Sequence, residues 1–184
     1  MIYDIIIIGA GASGLFAASN IKLNKNEKGL ILDKSKKPGL KLLMAGSGQC
    51  NLTHAGDIKD FVTHYGPNGK KVRSIIYNFS NDMLKDWFHS RGLKLITRED
   101  GKVFPESMSS RTVLDLFLKE TSRNGFELRL MRQLLLRVRG GSFVATLHGV
   151  LGVTTLCEGD VRVTADFARH GFYQVHRGYF CHSC

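Results

Sequence analysis

The chain has 184 residues and a formal net charge of +10, with 43% hydrophobic residues and a mean hydropathy of −0.09. That length supports one domain with a real core, or one domain plus an insertion, and the hydropathy is that of a soluble globular protein. The apolar run Ile5–Ile8 is far too short to span a membrane and lacks the flanks of a signal peptide, so a cytoplasmic protein with no membrane partner is expected. Four cysteines (Cys50, Cys157, Cys181, Cys184) make no disulfide framework in a chain this long. The positive charge suggests an anionic partner or simply a solvated basic surface. Nucleic acid is not the expected partner, because no Lys/Arg stripe interleaved with aromatics and no helix-turn-helix or zinc-finger spacing is present.

Ile5–Ile8 runs straight into Gly9-Ala10-Gly11-Ala12-Ser13-Gly14, and a helical pattern follows to about Leu23. A continuous apolar run ending in glycines suits a strand buried on both faces of a parallel sheet. Gly29-Leu30-Ile31-Leu32-Asp33 reads as a second buried strand ending in a carboxylate. Strand, helix and strand in about 30 residues make a right-handed βαβ unit. The spacing Gly-x-Gly-x-x-Gly has the context that a dinucleotide site requires. Gly9 permits the tight turn, Gly11 lets a pyrophosphate approach the backbone, and Gly14 lets helix and strand pack closely. The phosphates then meet free N–H groups at the positive end of the helix. A glycine-rich turn without a ligand is the plainer alternative. Asp33 stands 19 residues after Gly14, where a carboxylate accepts from both ribose hydroxyls and repels a 2′-phosphate. FAD or NAD fits such a site and NADP does not; a strand-end turn aspartate is the alternative. Lys34 lies beside the adenosine or is a solvated loop lysine.

Further along, Lys41 to Asn51 is a short apolar piece followed by a second glycine-rich loop, Gly46-Ser47-Gly48-Gln49-Cys50-Asn51. Exposed N–H groups and a cation suit an anionic ligand. A short helix is expected within 57–66, then helices over 71–79 and 81–90, the second capped by Asn81 and ended by Gly92. Glu99-Asp100-Gly101 signals a hairpin between 93–97 and 102–104. Ser109 or Ser110 caps a helix over 111–124, Gly125 stops it, and 126–130 is the strand that rejoins the sheet. Beyond Met131 the pattern blurs; 134–138, 143–147 and 161–163 are candidate strands, with a turn at Arg139-Gly140-Gly141.

The opening fingerprint, the 46–51 loop and Glu99-Asp100-Gly101-Lys102-Val103-Phe104-Pro105 together resemble the HI0933-like flavoproteins, a group of bacterial FAD-dependent oxidoreductases, some labelled aminoacetone oxidase. The resemblance spans about residues 1–130. It implies that Gly9, Gly11, Ser13 and Gly14 hold the pyrophosphate, that Asp33 holds the ribose, and that Lys41, Gly46, Gly48 and Asn51 line the rest of FAD. Gln49 departs from the arginine often found before the Cys-Asn pair, which removes a cation. The candidate cofactor-binding set is thus Gly9, Gly11, Ala12, Ser13, Gly14, Asp33, Lys34, Lys41, Gly46, Gly48, Gln49, Cys50 and Asn51, with no metal site and catalytic side chains unnamed. FAD is the expected cofactor and NAD(P)H a candidate electron donor; the small-molecule substrate is unassigned.

Cys50 has no near partner cysteine and reads as a packed residue, not a redox centre. His54 is a proton donor near the flavin or a capping or surface histidine. Cys181-His182-Ser183-Cys184 has the spacing of half a zinc site and lacks a second half. The expected architecture is α/β: an incomplete, Rossmann-like FAD-binding portion over 1–130, with inserted helices and a hairpin at about 57–108. Residues 120–184 contain neither Lys nor Ile, although 14 lysines and 11 isoleucines precede them. That break marks a domain boundary, a reading-frame break or a foreign segment, and 131–184 is expected to be a frame-shifted or otherwise non-homologous tail. The whole then reads as the N-terminal fragment of a longer flavoprotein oxidoreductase. The rival readings are an NAD-binding dehydrogenase or reductase, and a non-enzymatic nucleotide- or RNA-binding protein.

Overall fold

A computed structural model describes residues 2–132 and, beyond them, the backbone of five short strands. In chain order the elements are β1 (Ile5–Ile8), α1 (Ala12–Asn20), β2 (Gly29–Leu32), α2 (Leu40–Met44), β3 (Thr53–His54), α3 (Ile58–His64), α4 (Gly69–Asn78) and α5 (Asn81–His89). There follow β4 (Leu95–Thr97), β5 (Lys102–Pro105), α6 (Ser110–Arg123) and β6 (Phe126–Arg129). The backbone strands are β7 (Leu135–Arg137), β8 (Val144–Thr146), β9 (Val153–Thr154), β10 (Arg162–Asp166) and β11 (Phe172–His176). The chain divides into two compact units, 1–40 with 117–184, and 41–116.

In the first unit, β1, β2 and β6 are parallel in the spatial order β6-β2-β1, and β9 lies antiparallel to β1. This is the expected βαβ unit, extended by the strand that follows α6. Ile31 and Leu32 are essentially inaccessible, as a parallel strand covered on both faces requires. Gly29 opens β2 because a Cβ there would lie 2.5 Å from the Phe126 ring in the neighbouring strand. Along α1, Leu15, Ala18 and Ser19 are buried. Phe16 meets Phe117 edge to face at 6.2 Å between ring centroids, and Nδ2 of Asn124 donates to the Ala18 carbonyl at 2.9 Å. These contacts bind α1 to the C-terminal half of α6. The helix stops at Asn20, three residues before the expected Leu23, because Ile21 already has extended backbone (φ −93°, ψ 116°). Leu23 still packs inward, against Gly29 and Gly125.

Beyond residue 132, β7 and β8 are antiparallel and join β10 and β11 in a four-stranded sheet, order β10-β11-β7-β8. β7, β8 and β10 fall where 134–138, 143–147 and 161–163 were expected; β11 was not expected. The turn at 139–141 and the Cys181–Cys184 quartet lie outside the described residues.

The second unit contains the segment expected as an insertion at 57–108. Its antiparallel sheet has the order β3-β5-β4, and Gly101, at φ 78°, makes the expected hairpin turn. Val103, Phe104, Val113, Leu114 and Phe88 are buried in its core. Asp57 caps α3, its side chain accepting from the Lys59 N–H. One cap differs from expectation. Ser80, not Asn81, caps α5, and its Oγ accepts from the Met83 N–H at 3.2 Å. Asn81 is buried instead, and its Nδ2 donates to the carbonyls of His54 and Gly56, each at 3.0 Å. Among the described residues no helix is long and apolar enough to cross a membrane.

Candidate functional site

The glycine loop joins β1 to α1 in the first unit. The Gly9 N–H donates to the Leu32 carbonyl at 2.7 Å, and its φ of 105° turns the chain out of the sheet. That φ is one an L side chain rarely adopts. Gly14 is required by packing, since a Cβ there would sit 1.9 Å from the Gly9 carbonyl oxygen. Gly11 answers no constraint from the protein. Its φ is −86°, and a Cβ there would meet nothing within 4 Å. The open space in front of Gly11 is what a phosphate needs to approach the backbone. Gly11 is also the N-cap of α1, no side chain caps this end, and no acid lies in the first turn. The exposed Ala12 and Ser13 and the part-exposed Gly14 thus begin a helix whose first N–H groups carry the positive end of the dipole.

Asp33 follows β2 and is partly buried. Its Oδ2 accepts from the Ala10 N–H at 2.6 Å and its Oδ1 from the Ser35 N–H at 2.7 Å. The carboxylate therefore ties the glycine loop to the end of β2, a role not visible in the sequence spacing. Each oxygen retains a lone pair, so ribose hydroxyls can still be accepted. The Asp33 N–H donates to the Arg129 carbonyl at 3.0 Å and the Gly39 N–H to the Ala10 carbonyl at 2.7 Å, which fixes both flanks. Lys34 is exposed beside Asp33. These residues fit the adenosine diphosphate half of FAD.

The second unit carries the other candidates. Lys41 is exposed on α2. The loop after α2 is left-handed at Gly46, Ser47, Gly48 and Cys50, with φ of 56°, 56°, 86° and 62°. The Cys50 N–H donates to the Ala45 carbonyl, and Ser110 Oγ to the Leu43 carbonyl at 3.0 Å, which anchors the loop on α6. Gly46 fits because a Cβ there would press on the Asn51 N–H and the Phe104 ring. Asn51 is exposed and Gln49 half-buried. A cation nonetheless lies beside Gln49, because Arg98 Nη2 donates to Gln49 Oε1 at 2.8 Å. Neither Arg98 nor Phe104 was singled out from the sequence as a loop residue. A gap of 49 positions separates Gln49 from Arg98, and the pairing of both β3 and β4 with β5 brings them together.

Cys50 is 1% exposed and is a free thiol. Burial pushes its pKa from 9.0 up to about 11. The thiol is therefore protonated at neutral pH and unsuited to nucleophilic or redox work. In a background with Cys157, Cys181 and Cys184 replaced by serine, the folded protein at pH 8 is expected to leave Cys50 unmodified by an aromatic disulfide reagent, with full modification in denaturant. Because the folded pKa is the higher one, the buried thiol favours folding fully below about 9 and loses that contribution as pH rises towards about 11. His54 is exposed, with Nε2 2.9 Å from the Asp100 carbonyl and Nδ1 directed at the Ala55 carbonyl. It pins the hairpin turn, in keeping with the capping reading. No group of three or more metal-ligating side chains occurs among the described residues.

An uncapped helix start after a parallel strand of which Ile7 is buried, with a carboxylate closing the next strand, defines a dinucleotide-binding domain of Rossmann type. The chain belongs to the HI0933-like family: the description "HI0933-like protein Rossmann domain" matches residues 3–148. It is 27% identical over 178 residues to the ribosomal RNA dihydrouridine synthase of Escherichia coli K12, covering 96% of this chain and 43% of that protein. It is 31% identical over 118 residues to the 3-dehydro-bile acid delta(4,6)-reductase of Clostridium scindens, covering 64% of this chain and 28% of that protein. The ribosomal RNA dihydrouridine synthase of Haemophilus influenzae is 31% identical over 127 residues, or 68% of this chain and 30% of that protein. The chain thus spans less than half the length of these curated relatives. Among solved structures, THI4 of Thermovibrio ammonificans superposes with a TM-score of 0.43 at 13% identity, covering 75% of this chain and 43% of that one.

Proposed function

We propose that this chain is the FAD-binding portion of an oxidoreductase that adds hydrogen across a carbon–carbon double bond conjugated to a carbonyl. The observation that carries the FAD assignment is the open helix start at Gly11, with its empty approach and with Asp33 beside it. Gly9, Gly11, Ala12, Ser13 and Gly14 hold the pyrophosphate, and Asp33 with Lys34 holds the adenosine. Lys41, Gly46, Gly48, Gln49, Cys50 and Asn51 are assigned to the remainder of FAD by family resemblance, Cys50 through its backbone only. FAD, when bound, supplies a hydride donor and acceptor; the protein supplies binding, orientation and electrostatics.

The reaction class is supported by the relatives' names. A dihydrouridine synthase and a delta(4,6)-reductase both saturate ring double bonds, one in a nucleobase and one in a steroid. The test is anaerobic: the FAD-loaded protein, reduced with dithionite, is mixed with 2-cyclohexen-1-one and separately with uridine. Reoxidation of the flavin absorbance by either is expected. Reoxidation by oxygen alone would contradict the reaction class. Bleaching by NADH or NADPH in the same cuvette identifies the electron donor.

A second reading takes RNA as the substrate. The net charge of +10 and the two relatives named for ribosomal RNA favour it over the sequence-based expectation of no nucleic-acid partner. RNA affinity that falls steeply with salt, together with uridine-dependent flavin reoxidation, would support it.

A further inference from the structure

The turn between β4 and β5 carries a cation that the assigned cofactor residues do not include. The Arg98 guanidinium lies 4.2 Å from the Phe104 ring centroid and donates to Gln49. Phe104 is 3% exposed, so the ring is a fixed platform, and the same ring edge would meet a Cβ on Gly46 at 3.3 Å. The Arg98 backbone is pinned on both sides, donating to the Lys102 carbonyl and accepting from the Gly101 N–H, each at 2.9 Å. A long, mobile side chain is thereby held in one place beside the 46–51 loop.

Arg98 makes no direct ion pair among the described residues, although, behind the hydrogen bonds from Lys102, its charge helps to hold the Asp100 carboxyl below its usual range. Gln49 is neutral, and Asp100 in the same turn is taken by Lys102, which contacts it through Nζ at 2.7 Å and through its N–H at 3.1 Å. A guanidinium has five N–H donors in a planar fork that matches an oxyanion. One is used among the described residues, and the residue is exposed. Beside it, a Cβ on Gly48 would meet nothing closer than 3.8 Å, so the loop offers an approach free of side chains.

We propose that Arg98, positioned by Phe104 and Gln49, is an oxyanion-binding residue that takes a phosphoryl or carboxylate group at the Gly46–Asn51 loop. Two sources share this chemistry, a phosphate of FAD and an anionic group of the substrate. The site stands on the second unit alone; only its cofactor arm rests on the FAD assignment.

The test compares the wild-type chain with Arg98→Gln and Arg98→Lys, each checked for native circular dichroism. One arm titrates FAD. The other titrates inorganic phosphate in the presence of saturating ADP, which occupies the α1 site, and follows the backbone amide signals of 46–51 by NMR. Arg98→Gln is expected to raise at least one of the two dissociation constants about tenfold, the loss of one charged hydrogen bond, with partial recovery in Arg98→Lys. A loss confined to phosphate identifies the substrate's anion, and a loss in FAD identifies the cofactor's. The phosphate arm also decides the matter should FAD not bind. Equal affinities for both ligands in wild type and folded Arg98→Gln would overturn the proposal.

Discussion

Gly14→Ala is expected to abolish FAD binding and to destabilise the fold by about 3 kcal/mol, the upper end of what overpacking a tight contact costs. The added methyl would lie 1.9 Å from the Gly9 carbonyl oxygen and 3.3 Å from a methyl of Ile7. Both are firmly placed: Gly9 is tied to Leu32 through its N–H, and Ile7 is 2% exposed. Relief requires α1 to move off β1, which opens the turn that aims the helix start at the phosphates. Urea denaturation and a FAD titration measure the two effects. Gly11→Ala is the informative control, because its Cβ meets no protein atom within 4 Å. It is expected to keep stability within about 1 kcal/mol while weakening FAD, since the new methyl fills only the ligand's space.

Asp33→Asn is expected to cost about 2 kcal/mol of stability and about two orders of magnitude in FAD affinity. In the wild type both carboxylate oxygens accept backbone N–H groups, one from the glycine loop and one from Ser35. An amide presents one oxygen and one donor, so either the Ala10 or the Ser35 N–H then faces another donor. Hydrogen bonds to a charged acceptor contribute about 1.5–3 kcal/mol, and leaving a partner unsatisfied adds to the loss. The affinity falls further because the ribose hydroxyls lose an ionised acceptor. Asp33→Glu keeps the charge but lengthens the side chain, and is expected to recover stability less well than ribose binding. Thermal melts separate these effects from FAD affinity measured on protein that remains folded.

The βαβ core and the nucleotide loop were legible in the sequence because their physics is local. Four isoleucines before glycines admit few conformations other than a covered strand and a turn, and the carboxylate lies just where the second apolar run stops. The separate grounds expected of the three glycines are met one by one: a positive φ at Gly9, close packing at Gly14, and open space before Gly11. Local reading failed where two neighbouring residues were chemically equivalent. Ser80 and Asn81 are both good caps, and the choice is made by the carbonyls of His54 and Gly56, which draw Asn81 inward. The end of α1 was misjudged for a related reason. Leu23 is apolar because it covers Gly29 and Gly125, not because the helix reaches it. The pairing of Arg98 with Gln49 left no trace in spacing at all, since it depends on both the two-residue strand β3 and the strand β4 aligning with β5.

A competition titration of the purified chain with FAD, using ADP and 2′-phospho-ADP as competitors, tests the nucleotide assignment directly. FAD is expected to bind, ADP to displace it by occupying the Gly9–Gly14 loop and Asp33, and 2′-phospho-ADP to do so far less well because Asp33 repels the added phosphate. Displacement by 2′-phospho-ADP as readily as by ADP, or binding of NADH in place of FAD, would contradict that assignment.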